Sequence, residues 1–193
     1  MDLVSPVQKT VAVREINSEK TQNKPGDRAP VETKAVVRSS PTSSVETQSF
    51  VVSNGLYTAT VSNKNGGSFS KFVFEKYSKY DSSNLNIIDH YNSNNLLLDF
   101  VSLDGDKVSL GSNWDVVGSY FNVDATSKQK SVTFKTVYNN YVIKKRLTFY
   151  PNTYKIGLDV IFDQPDRFIS RAQYSLVWPG GLPPTEKNLK DDY

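Results

Sequence analysis

The chain has one histidine, His90, and it follows Asp89. An Asp-His pair can orient an imidazole as a general base. Here the pair opens an Asn/Ser-rich loop with no nucleophile motif beside it, so it reads as a solvated loop histidine. Glycan hydrolysis needs two carboxylates facing each other across a cleft. Asp99, Asp115, Asp159 and Glu186 are available, but their spacing singles out no pair, and strand-face or turn positions suit them better. Asp104-Gly105-Asp106 resembles half of a calcium loop without the ligand positions that should follow, and reads as a turn. Gly66-Gly67 and Gly180-Gly181 open no helix and so cradle no phosphate. Tyr141, Tyr154, Tyr174 and Trp178 lie on strands and could line a sugar or peptide groove, although such a stripe is more often core. With no cysteine, disulfides and thiolate-bound metals are excluded. No catalytic residue, metal ligand or cofactor is expected.

The elements expected to position the aromatics are strands. From Tyr154 to Phe162 every second residue is large and apolar, the period of a half-buried strand. Tyr141, Ile143, Leu147 and Phe149 alternate in the same way with Val142, Lys144, Arg146 and Thr148. Tyr150-Pro151-Asn152-Thr153 joins the two runs as a tight turn. Beyond Gln164-Pro165-Asp166-Arg167 a third run, Phe168 to Trp178, leads into a Pro/Gly loop that ends at Glu186. Three antiparallel strands feeding a rigid loop are expected there. Upstream, Phe50–Val52, Leu56–Val61 and Ser68–Tyr77 read as strands, with Ser62 to Gly67 as the turn between the last two. Leu85–Ile88, Leu96–Val101, Lys107–Leu110 and Lys130–Tyr138 follow, and Asn139-Asn140 turns the chain into Tyr141. Trp114 to Val123 is the least legible stretch, with a strand expected near Ser119–Val123. About ten short strands at roughly 8–12-residue spacing, with no helical period, predict an all-β antiparallel sandwich or barrel.

Residues 1–48 differ in kind. All the aromatic residues lie at Phe50 or beyond, and Pro6, Pro25, Pro30 and Pro41 punctuate a mix of Ser, Thr, Lys, Glu and Gln. Such a segment cannot bury enough surface to offset its ordering entropy, and is expected to be a disordered linker with a reach of roughly 35–40 Å. Residues 49–193 are expected to be the folded domain. The net charge of +3 and a pI of about 8.9 come with no block of like charges, so nucleic acid is not an expected partner. No apolar run is long enough to span a bilayer, and Met1 to Pro6 opens no signal peptide. Any targeting element is expected to lie outside this sequence. The polar end after Glu186 leads us to expect a domain cut short at its C-terminus.

Three stretches resemble one family. Tyr57 to Tyr80, with Val61-Ser62-Asn63-Lys64-Asn65-Gly66-Gly67, is similar to the start of the large periplasmic domain of the YidC membrane-protein insertases. Ile143 to Phe149 followed by Tyr154-Lys155-Ile156 resembles its middle hairpin, and Leu176 to Asn188 resembles its Trp–Gly–Leu–Thr–Glu loop. The resemblance implies a β-supersandwich of the galactose-mutarotase type at the periplasmic face of the bacterial inner membrane. It also implies attachment through membrane segments that this chain lacks. Implied partners are Sec translocon components and nascent membrane proteins, served by a non-catalytic scaffold or docking surface. The family motif carries over as Trp178, Gly180, Gly181, Leu182, Thr185 and Glu186, in a structural role: Trp178 packs inward and the loop fixes a corner between sheets. The alternative is a mutarotase-like carbohydrate-binding domain, with His90 and Glu186 as nominal acid and base.

Overall fold

A computed structural model describes residues 45–79, 83–88, 94–120 and 122–179. The linker expected over 1–48 lies outside them apart from its last four residues, and so does the chain after Pro179. Twelve strands form among the described residues: β1 Ser49–Ser53, β2 Tyr57–Ser62, β3 Ser68–Ser78, β4 Asn84–Asn86, β5 Leu97–Ser102 and β6 Lys107–Ser109, then β7 Asp115–Val117, β8 Asn122–Asp124, β9 Lys130–Tyr138, β10 Tyr141–Phe149, β11 Ile156–Phe162 and β12 Ile169–Val177. The expected all-β, largely antiparallel architecture is present. The strands form a five-stranded sheet in the order β4-β3-β2-β1-β8, a four-stranded sheet β11-β10-β9-β7, and a three-stranded sheet β12-β5-β6.

Local chemistry explains most of the turns. Asn139 and Asn140 both take positive φ (48° and 68°), as a two-residue hairpin loop requires, and Tyr138 pairs directly with Tyr141. Asn152, at φ 54°, turns β10 into β11. The Asn54 side chain holds that turn from outside, donating from Nδ2 to the carbonyls of Tyr150 (3.0 Å) and Thr153 (2.7 Å).

Three features depart from the expected pattern. The third run does not extend the β10–β11 hairpin. Gln164 turns left-handed (φ 50°), Pro165 opens a 3-10 turn over Pro165–Arg167, and β12 then pairs antiparallel with β5 in another sheet. Proline has no N–H for a ladder, so the strand ends there and the chain changes sheet. Within β12, Arg171 and Ala172 take positive φ and the register shifts between Ile169 and Tyr174, a bulge that breaks the apolar alternation. Finally, the illegible stretch yields β7 and β8, and β8 pairs parallel with β1.

The core lies where the sheets face one another. Phe50 of β1 stacks on Phe134 of β9 (6.2 Å between centroids), and Phe100 of β5 meets Tyr138 of β9 edge-on at 5.2 Å. Trp114, fully buried, sits just before β7.

Candidate functional site

Seven of the residues picked out by sequence lie outside the described chain: Asp89, His90, and the motif positions Gly180, Gly181, Leu182, Thr185 and Glu186. Trp178 is described. It is 37% exposed, its ring centroid is 6.5 Å from that of Phe69, and it lines an apolar cavity of about 220 Å³ with Phe72, Leu96, Leu147 and Leu158. Three of the carboxylates are also described. Asp99 accepts a hydrogen bond from Ser109 Oγ (2.7 Å) and lies 3.9 Å from Lys107 Nζ. Asp159 Oδ2 is held by Nε and Nη2 of Arg146, both at 2.9 Å. Asp115 and Asp159 belong to opposite edges of the four-stranded sheet. Three strand spacings separate them by about 14 Å, too far for a glycosidase pair. Of the four aromatics expected on strands, Tyr141 and Tyr174 are on β10 and β12, whereas Tyr154 lies in the turn before β11 and Trp178 just past β12, and the four form no stripe. Tyr141 stacks on Phe168 (5.1 Å), Tyr154 meets Phe74 (5.4 Å), Tyr174 meets Phe162 (5.1 Å) and Trp178 meets Phe69. Asp104-Gly105-Asp106 is the expected turn, with Gly105 at φ 86° and Ser102 N donating to Asp106 O at 2.9 Å.

The structure adds a residue that the alternation passed over. Lys145 falls between Ile143 and Leu147 on the inward face of β10 and is fully buried. Its Nζ donates to the carbonyls of Asn65 (2.7 Å) and Leu96, and lies 5.1 Å from the centre of the Trp114 ring. Two acceptors and a π face offset part of the cost of burying the ammonium. Loss of hydration still pushes its pKa down to about 7. The contacts come from three places: the β2–β3 turn, the approach to β5, and the residue before β7.

Buried amides build the surroundings of this lysine. Asn95 accepts from Phe69 N (2.7 Å) and donates to Phe69 O (2.8 Å), so its side chain pairs with β3 as a strand would. Asn63 accepts from Gln48 N and donates to the carbonyls of Glu46 and Trp114, at 2.9–3.0 Å. The Ser62–Gly67 turn therefore lies inside the molecule. A Cβ on Gly66 would stand 2.7 Å from the Trp114 ring, and one on Gly67 would stand 2.6 Å from Phe134.

The opposite face of the four-stranded sheet carries a groove of about 600 Å³, lined by Val117, Lys135, Val142, Lys144, Ile161, Phe162 and Asp163. Register sets its floor. Lys144 lies directly opposite Lys135 on one side and Ile161 on the other, and Asp115 lies opposite Lys135. Val117 and Ile161 are 48% and 43% exposed. Such a groove offers aliphatic surface, two ammonium groups and the Asp163 carboxylate.

No family model and no solved structure matches the chain. Curated proteins do. It is 26% identical over 145 residues to the membrane protein insertase YidC of Chlorobium phaeovibrioides, covering 74% of this chain and 25% of that protein. The YidC of Chloroherpeton thalassium is 26% identical over 150 residues (76% and 25%), and that of Chlorobaculum parvum 26% over 187 residues (92% and 31%). The chain thus spans about a quarter to a third of the length of these relatives. Over that shared stretch, this chain is similar to the YidC membrane-protein insertases.

Proposed function

We propose that residues 49–193 are a non-catalytic domain of a YidC-like insertase, held at the periplasmic face of the inner membrane behind the polar segment 1–48. In this reading the domain is of the supersandwich type. It supports insertion and folding of membrane proteins by docking Sec translocon components or nascent chains, and carries out no reaction itself. The relationship to curated YidC insertases carries the proposal. No helix among the described residues is long and apolar enough to cross a membrane, so in this reading the membrane contact comes from other parts of the protein. Two surfaces suit an extended polypeptide: the groove over β9, β10 and β11, and the outer edge of β12, whose one strand partner among the described residues is β5. An edge of this kind can take an added strand.

The test is photo-crosslinking in cells that make the full-length protein, with the crosslinker placed at Ile161, at Leu176, or at the remote control position Lys128. Adducts with translocon subunits or nascent membrane proteins are expected from Ile161 or Leu176 and not from Lys128. Identical, partner-free patterns at all three positions would overturn the reading.

A further inference from the structure

We infer that the groove on the four-stranded sheet recognises an extended polypeptide segment that presents an acidic residue between two apolar ones; this rests on the docking reading above. The inference starts from an unfavourable pairing. Lys135 and Lys144 stand directly opposite each other on neighbouring strands, where like charges destabilise a sheet. The ion pairs among the described residues are Lys107–Asp99 and Arg146–Asp159, so neither lysine of the groove has a carboxylate within 4.0 Å. Asp115 lies opposite Lys135 on its far side, and Asp163 lines the groove beside Phe162, outside the Lys135–Lys144 row. Between the two ammonium groups a carboxylate is the missing charge.

The groove also fixes the order of groups in its partner. Val142 precedes Lys144 by two residues on the same face of β10, about 6.6 Å along the strand, and the Arg146–Asp159 pair occupies the next row. Val117 flanks that row, opposite Thr133, and Ile161 flanks Lys144. A segment running along β10 in extended form would set every second side chain over successive rows. Apolar, acidic, apolar at positions i, i+2 and i+4 is the pattern that matches. A membrane surface would meet the lysines too. However, the aliphatic side chains Val142, Ile161 and Val117 fall in successive rows of the sheet, a repeat that an extended chain matches.

Fluorescence anisotropy with the 193-residue chain tests this. The probes are three labelled peptides that alternate serine with leucine, glutamate, leucine; the second has lysine and the third serine at the glutamate position. The acidic peptide should bind best, and raising NaCl from 50 to 300 mM should weaken it. K135Q/K144Q should lower its affinity roughly three- to tenfold, while the equal-charge control K71Q/K128Q leaves it unchanged. Equal binding of all three peptides, or an unchanged affinity in K135Q/K144Q, would overturn the acidic partner; adducts at Ile161 in cells would still uphold docking. Lysine-dependent binding to phosphatidylglycerol vesicles without peptide binding would instead assign the face to lipid, and self-association abolished by Ile161→Asp would assign it to a second copy. Either result defeats the inference.

Discussion

At the scale of single residues, Lys145 shows how a buried charge ties an all-β domain together. Its proton equilibrium should be visible in stability. Its folded-state pKa is held near 7 by burial, whereas an unfolded chain leaves it near 10.5. Between those values the unfolded state binds the extra proton, so stability should rise with pH from about 7 to about 10.5 and should be lowest below 7. Urea titrations at pH 6, 7.5 and 9 check the sign. Lys145→Met should flatten that slope and, at pH 9, destabilise by about 1–3 kcal/mol, because the carbonyls of Asn65 and Leu96 lose their donor. A variant that kept the wild-type slope would assign the titration elsewhere. Gly66 gives a second, independent test. Its φ of 71° and the Trp114 ring 2.7 Å from a would-be Cβ predict a loss of roughly 2–4 kcal/mol for Gly66→Ala, read from the urea midpoint. Neither role could be read from sequence. Lysine is ordinarily a surface residue, and Asn-Gly-Gly ordinarily marks an exposed turn. Only the long-range contacts of Trp114 and Asn95 with that turn make both of them interior.

Among the elements, the meander β9–β10–β11 was the most legible part. Its pairing is local, its alternation is clean, and its turns use residues that accept positive φ. The same reading carried β12 into the wrong sheet. A period-2 pattern says that a strand has two unlike faces, and says nothing of which neighbour it pairs with. The parallel partnership of β1 with β8 was hidden for a similar reason, since β8 has three residues and too little pattern to register. The groove was within reach of sequence only in part. Lys135 and Lys144 can be seen on strands, yet their opposition appears only once the Asn139-Asn140 turn fixes the register.

For the molecule as a whole, the sheets share one buried cluster that draws on Val52, Leu98, Phe134 and Trp114 alike. Residues 45–179 should therefore unfold as one cooperative unit. Trp178→Phe would leave Trp114 as the sole indole, fully buried beside Lys145. Its fluorescence and the far-ultraviolet circular dichroism should then report coincident urea midpoints. Separate midpoints would mean that the three-stranded sheet melts by itself.

The parallel pairing of β1 with β8 has a consequence in time. Val51 lies opposite Asn122, roughly seventy residues further along, and Asn54 reaches across nearly a hundred to the Tyr150–Thr153 turn. Pairings that distant form late, because closing a long loop costs entropy before the contact repays it. A chain delivered from its N-terminus would complete the β1–β2–β3 meander early and then wait, with the outer edge of β1 open, until β8 arrived. The groove sheet, built from Asp115 to Phe162, would follow later still, so this surface would become competent only after Phe162 had been made.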